Sequence, residues 1–126
     1  MDVPAASRRL TTHQQAVLIQ VLLAFPEQRA SIEHASTGDA AAYAQDFLTI
    51  FNAVRWNVVE LGVANGSAAN GSGLAIIVGK NQKAPAGAEA LRDVLRIYGI
   101  DVGTGFDSSR EILPDEFIFS VGTHPQ

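Results

Sequence analysis

IEHASTGDAAAYAQDFLTIFNAVRWNV, residues Ile32 to Val58, and IIVGKNQKAPAGAEALRDVLRIYGIDV, residues Ile76 to Val102, align without a gap at an offset of 44 residues. Ile32 falls on Ile76, Ala44 on Ala88 and Val58 on Val102, all identities. Phe47 falls on Leu91, Ile50 on Val94, Phe51 on Leu95 and Trp56 on Ile100, so the apolar stripe is kept where the residue changes. Each stretch reads as strand, helix, strand. A strand followed by a helix and a second strand forms a parallel pair with a right-handed crossover. The pattern therefore predicts an α/β layered domain with two β-α-β repeats, over residues 30–60 and 74–104.

Outward from the repeat, Thr11 with Gln14, or Thr12 with Gln15, fits a capping box, in which hydroxyl and amide satisfy orphan N–H groups. Val17, Leu18, Val21, Leu22 and Phe25 follow at helical spacing up to Pro26. Arg29 to Ala35 is a short strand, and Ser36-Thr37-Gly38-Asp39 a turn and cap. Ala40, Tyr43, Ala44, Phe47, Leu48 and Phe51 share one helix face, and that helix ends near Arg55. Asn57 to Val63 is the next strand. The run Asn65 to Gly73 is a Gly/Ser/Asn turn between the halves. Leu74 to Gly79 is continuously apolar, as in a strand buried on both faces. Pro85 suits a first helical turn, and Gly99 a left-handed stop. A strand begins at Ile100 to Val102, Thr104 to Leu113 is polar and irregular, and the alternation of Phe117, Phe119 and Val121 marks a last strand. The order is α-β-α-β-β-α-β-β: three helices and about five strands in a mainly parallel sheet. Residues 1–9 form a flexible leader and residues 10–126 one domain.

The chain of 126 residues is long enough to bury roughly two thirds of its unfolded surface without a metal or disulfide staple. It has no cysteine, which excludes disulfides, thiolate zinc sites and cysteine nucleophiles. A formal charge of -4 and a single basic pair, Arg8-Arg9, argue against nucleic acid as partner. The longest helical apolar stretch, Ala16 to Phe25, falls short of the ~20 residues of a membrane span. The start Met1-Asp2-Val3-Pro4 lacks the regions of a signal peptide. The chain as given reads as soluble, with no compartment indicated.

Ligands of parallel α/β sheets bind where strands end and helices begin. That rule selects Ser36, Thr37 and Asp39 in one loop, and Lys80, Asn81 and Lys83 in the other. Hydroxyls and backbone donors on one side and ammonium groups on the other suit an anion, although simple capping and solvated lysines account for the same residues. His13, His34 and His124 lack the spacing of a zinc site, and no metal or cofactor is expected. Glu33, His34 and Asp39 could carry acid–base chemistry, but no nucleophile elbow accompanies them. Gly71-Ser72-Gly73 precedes a strand, where a dinucleotide fingerprint must open a helix, and Gly79-Lys80-Asn81 lacks the rest of a phosphate loop. Asn65-Gly66-Ser67 and Asn70-Gly71-Ser72 are formal glycosylation sequons. Trp56 shares its repeat position with Ile100 and reads as packing.

Leu10-Thr11-Thr12-His13-Gln14, Val54-Arg55-Trp56-Asn57-Val58 and the closing Val121-Gly122-Thr123-His124-Pro125 resemble a small soluble domain found at the C-terminal end of uncharacterised bacterial proteins. Those proteins often carry transmembrane helices upstream. The resemblance spans residues 10 to 125. The residue before the Trp is usually glycine in that group and is Arg55 here. It implies a bacterial origin and a membrane-anchored parent, and brings no catalytic residue with it. The resulting functional expectation is a non-enzymatic interaction or sensory module. Its partner would be an unknown protein or a second copy met through an edge strand. The alternative is a small-ligand or anion-binding domain using loops 36–39 and 80–83, and the third reading is a small hydrolase.

Overall fold

The computed structural model describes residues 9–36, 39–63, 73–106 and 112–122. The elements are α1 (Thr12–Leu22), β1 (Arg29–His34), α2 (Ala40–Ala53), β2 (Asn57–Val63), β3 (Leu74–Val78), α3 (Ala86–Ile97), β4 (Val102–Phe106) and β5 (Glu116–Val121). They form an α/β layered fold whose five strands lie in the order β2-β1-β5-β3-β4. β1 runs parallel to β2 and to β5, β3 runs parallel to β4, and the β3–β5 pair is antiparallel. The sheet is thus mainly parallel, with one reversal at its centre.

The helices start and stop for local reasons. Thr11 Oγ1 accepts from Gln14 N–H at 3.0 Å, and Gln14 Oε1 accepts from Thr11 N–H at 2.9 Å, a reciprocal capping box. α2 and α3 end alike. Trp56 N–H donates to Phe51 C=O at 2.9 Å and Arg55 N–H to Asn52 C=O at 3.1 Å. Ile100 N–H donates to Leu95 C=O at 2.9 Å and Gly99 N–H to Arg96 C=O at 2.9 Å. These are Schellman closures, which need a left-handed residue just past the cap. Arg55 at φ 63° and Gly99 at φ 76° supply it.

Register puts the apolar residues on one face. Ala30 pairs with Phe117, Ile32 with Phe119, Ile76 with Phe119 and Leu74 with Val121. That face meets Leu18 and Leu22 of α1, Phe47 and Phe51 of α2, and Leu91 and Leu95 of α3 in one buried cluster. Phe119 packs with its ring tilted on Phe47 at 4.6 Å (ring centroids), and Trp56 packs at 4.7 Å on Phe51 and 5.9 Å on Phe117. The other face carries the pair Arg29–Glu116, in contact at 3.4 Å, with Ser31 opposite Ile118.

β5 lies at the centre of the sheet: β1 and β3 take up both of its hydrogen-bonding rows, and the edges are β2 and β4. Three expectations need correction. The irregular stretch assigned from Thr104 onward is strand through Phe106, because β3 offers an open ladder in the register Leu74–Val102 to Val78–Phe106. β3 alternates between buried and half-buried residues where burial on both faces was expected. Arg9 is no part of a loose leader. Its Nε and Nη2 donate to the two oxygens of Asp46 at 2.8 Å each, and Leu10 N–H donates to the same carboxylate at 3.0 Å. Asp46 is a buried acid on α2. Burial alone would raise its carboxyl pKa, but the hydrogen bonds from Arg9 and Leu10 and the Arg9 charge outweigh burial and hold it below the ordinary carboxylate range. No helix among the described residues is long and apolar enough to cross a membrane.

Candidate functional site

The reversal between β5 and β3 decides which strand-end loops can meet. β1 and β3 run in opposite directions, so their carboxyl ends lie at opposite ends of the sheet. Strands of 5 and 6 residues span about 17–20 Å. Ser36 and Asp39 therefore sit too far from Lys80, Asn81 and Lys83 to hold one small anion together. Ser36 is exposed, and Asp39 takes the N-cap position of α2 without a side-chain cap bond. Thr37 and Gly38 lie outside the described residues, as do the sequons and His124.

The second loop does border a concavity. A cavity of about 490 Å³ opens at the carboxyl ends of β3 and β4, beside α3. Ile76 and Val78 supply its apolar wall, and Thr104 and Phe106 of the edge strand supply another. Asn81, Gln82 and Lys83 come from the β3–α3 loop, and Glu89 and Arg92 from α3. Of the sequence-selected residues, Asn81 and Lys83 line it and Lys80 does not.

Local chemistry explains how the loop makes this wall. Gln82 N–H donates to Gly79 C=O at 3.0 Å, closing a tight turn. Asn81 adopts φ 64°, which asparagine tolerates better than most residues. The Gln82 side chain folds back over Gly79: a Cβ there would lie 2.7 Å from Gln82 Oε1, so only glycine leaves the amide its place. Pro85 then starts α3 without a side-chain cap.

Two polar atoms at this cavity are buried without a partner, Arg92 Nε and Gln82 Oε1. Such orphans are uncommon in native proteins, since leaving one unmade costs about 1–3 kcal/mol. Lys83 and Arg92 provide two cations, and Glu89 one carboxylate. The arrangement can hold a small polar molecule with an apolar part.

The other candidates disperse. Glu33 and His34 are neighbours on a strand and so face opposite sides of the sheet. His34 Nδ1 lies 2.9 Å from Ala35 C=O, and His13 meets the Tyr98 ring edge-on at 6.1 Å. No group of three metal-ligating side chains occurs among the described residues. Gln82, Glu89, Arg92, Thr104 and Phe106 were not legible as site residues. The strand-end rule could have found Thr104 and Phe106 had β4 been recognised. Arg92 and Glu89 look like any solvated helix charges until the loop is folded beside them. Comparison with protein-family profiles, curated proteins and solved structures finds no match to the chain.

Proposed function

We propose that this chain is a non-enzymatic sensory module that binds a small molecule in the cavity between α3 and the carboxyl ends of β3 and β4. The observation that carries the reading is a cavity of about 490 Å³ with charges of both signs on its wall, the half-buried Arg92 and the exposed Lys83 and Glu89, beside apolar Ile76 and Val78. That volume falls within the range of small-molecule sites, and an apolar wall with a few convergent polar groups is the usual make-up of one. The resemblance to C-terminal domains of anchored bacterial proteins supports a sensory placement, at the end of a membrane-anchored bacterial parent. The matched helix closures at Arg55 and Gly99 support treating the halves as two copies of one unit, of which the second carries the cavity.

The test is an amide-resolved NMR titration of the isotope-labelled chain with a library of small metabolites. A binder should shift residues 79–84, 89–92 and 104–106 together and raise the melting temperature by an amount that grows with the logarithm of its concentration over Kd. Absence of any shift in those segments with every compound at millimolar concentration would overturn the reading.

A further inference from the structure

We propose that the ligand of this cavity is a small α-amino acid with an apolar side chain, an assignment that rests on the binding reading above. The wall offers chemistry for each part of such a molecule. Arg92 and Lys83 place two cations on the same wall. A guanidinium edge presents parallel N–H groups that suit a planar carboxylate. Glu89 adds a carboxylate. It suits a donor that is also positive, as an ammonium group is. Ile76 and Val78 are buried apolar residues facing the same space, and Phe106, 66% exposed, stands on the edge strand beside it.

The charge balance narrows the class further. Lys83 and Arg92 against Glu89 leave one net positive charge. A phosphate dianion would meet Glu89 unfavourably, whereas a zwitterion finds an opposite charge for each end. A simple carboxylate would leave Glu89 without an opposite charge, and a simple amine would leave Lys83 and Arg92 without one. Only a ligand with both groups answers both signs.

The experiment compares leucine with leucinamide, which lacks the carboxylate, with 4-methylpentanoate, which lacks the amine, and with inorganic phosphate. Affinities are read from the amide shifts of residues 79–84, 89–92 and 104–106. Leucine should bind at least about tenfold tighter than either truncated analogue, because each loses one charge-assisted contact. Arg92→Gln should weaken leucine by about tenfold or more and leave leucinamide unchanged. Glu89→Gln should bring leucine down to the level of 4-methylpentanoate without weakening 4-methylpentanoate itself. Lys83→Met, at an exposed position, repeats the carboxylate test should Arg92→Gln perturb folding. Equal binding of leucine and its amide, or stronger shifts with phosphate, would overturn the amino-acid assignment while leaving the cavity a binding site. A cavity silent to all four probes but responsive to other metabolites also overturns the assignment alone. Silence to the whole metabolite library overturns the binding reading itself.

Discussion

Replacing Arg55 with glycine should stabilise this protein. Arg55 is exposed and holds φ 63°, a left-handed conformation that costs an L-residue roughly 1–2 kcal/mol. It cannot leave that conformation without breaking the bonds from Arg55 N–H to Asn52 C=O and from Trp56 N–H to Phe51 C=O. Both bonds are made by backbone atoms and survive the substitution. Glycine relieves the strain but adds freedom to the unfolded chain, which returns about 0.4–1 kcal/mol. The net gain is about 0.5–1 kcal/mol. At about 2.1 cal/mol/K per residue for 126 residues, that is a rise in melting temperature of roughly 2–4 °C.

The second half supplies the mirror experiment. Gly99 holds φ 76°, and a Cβ there would meet nothing within 4 Å. Gly99→Ala therefore tests local strain alone, with no clash to confuse it, and should lose about 0.5–1 kcal/mol. Thermal and urea melts followed by circular dichroism measure both variants, with an unchanged urea m-value confirming that the compactness of neither end state has moved. A lower melting temperature for Arg55→Gly, or no loss for Gly99→Ala, would refute the claim that these closures depend on a left-handed residue.

Asp46→Asn should cost about 1–2 kcal/mol at neutral pH, because a buried charge-assisted cluster is lost, with the exposure of Arg9 to solvent keeping the value low. The Asp46 carboxyl is depressed in the folded state, so its stabilisation is present above the unfolded value of about 3.9 and fades as pH falls through the lower folded value. Urea midpoints of the wild-type chain should therefore fall more steeply below about pH 4 than those of Asp46→Asn. Phe119→Ala should cost about 3–5 kcal/mol by calorimetry, since the ring is fully buried against Phe47 and Phe51. Truncation after Pro114 should abolish cooperative unfolding, because β5 joins β1 to β3; truncation after Gly122 should leave the melt nearly unchanged. Gly79→Ala should leave stability within about 1 kcal/mol but displace the Gln82 amide, seen as loss of the leucine response in NMR.

The elements were legible where a single period persisted. The stripe Tyr43, Ala44, Phe47, Phe51 marks α2, and the alternation Phe117, Phe119, Val121 marks β5. β4 was not legible beyond its first residue: Val102-Gly103-Thr104-Gly105-Phe106 has two glycines and little strand propensity of its own. It is a strand because β3 presents an unfilled ladder, a tertiary cause that no local window contains. The same limit hid the Arg9–Asp46 pair, whose members lie 37 residues apart. Strand order is also non-local. The run Phe117-Ile118-Phe119, apolar on both faces, carried a trace of the central position of β5, which alternation alone did not reveal.

That strand order is also why one loop borders a site and its counterpart does not share it. Two parallel halves placed side by side in the same direction would bring both β–α loops to one crevice, where hydroxyls from one and lysines from the other could meet. Inserting β5 antiparallel to β3 sends the loops to opposite ends of the sheet, so each must make a site alone. The first loop has an exposed Ser36 and a helix start at Asp39. The second has the open edge of β4 beside it, a glycine at residue 79 that lets Gln82 fold inward, and α3 turning Glu89 and Arg92 toward the gap. An edge strand thus does here what a second strand-end loop does in a fully parallel sheet: it closes the third side of the crevice. Phe106 stays 66% exposed on that edge because it borders a cavity whose walls are already built and whose interior is not filled by protein.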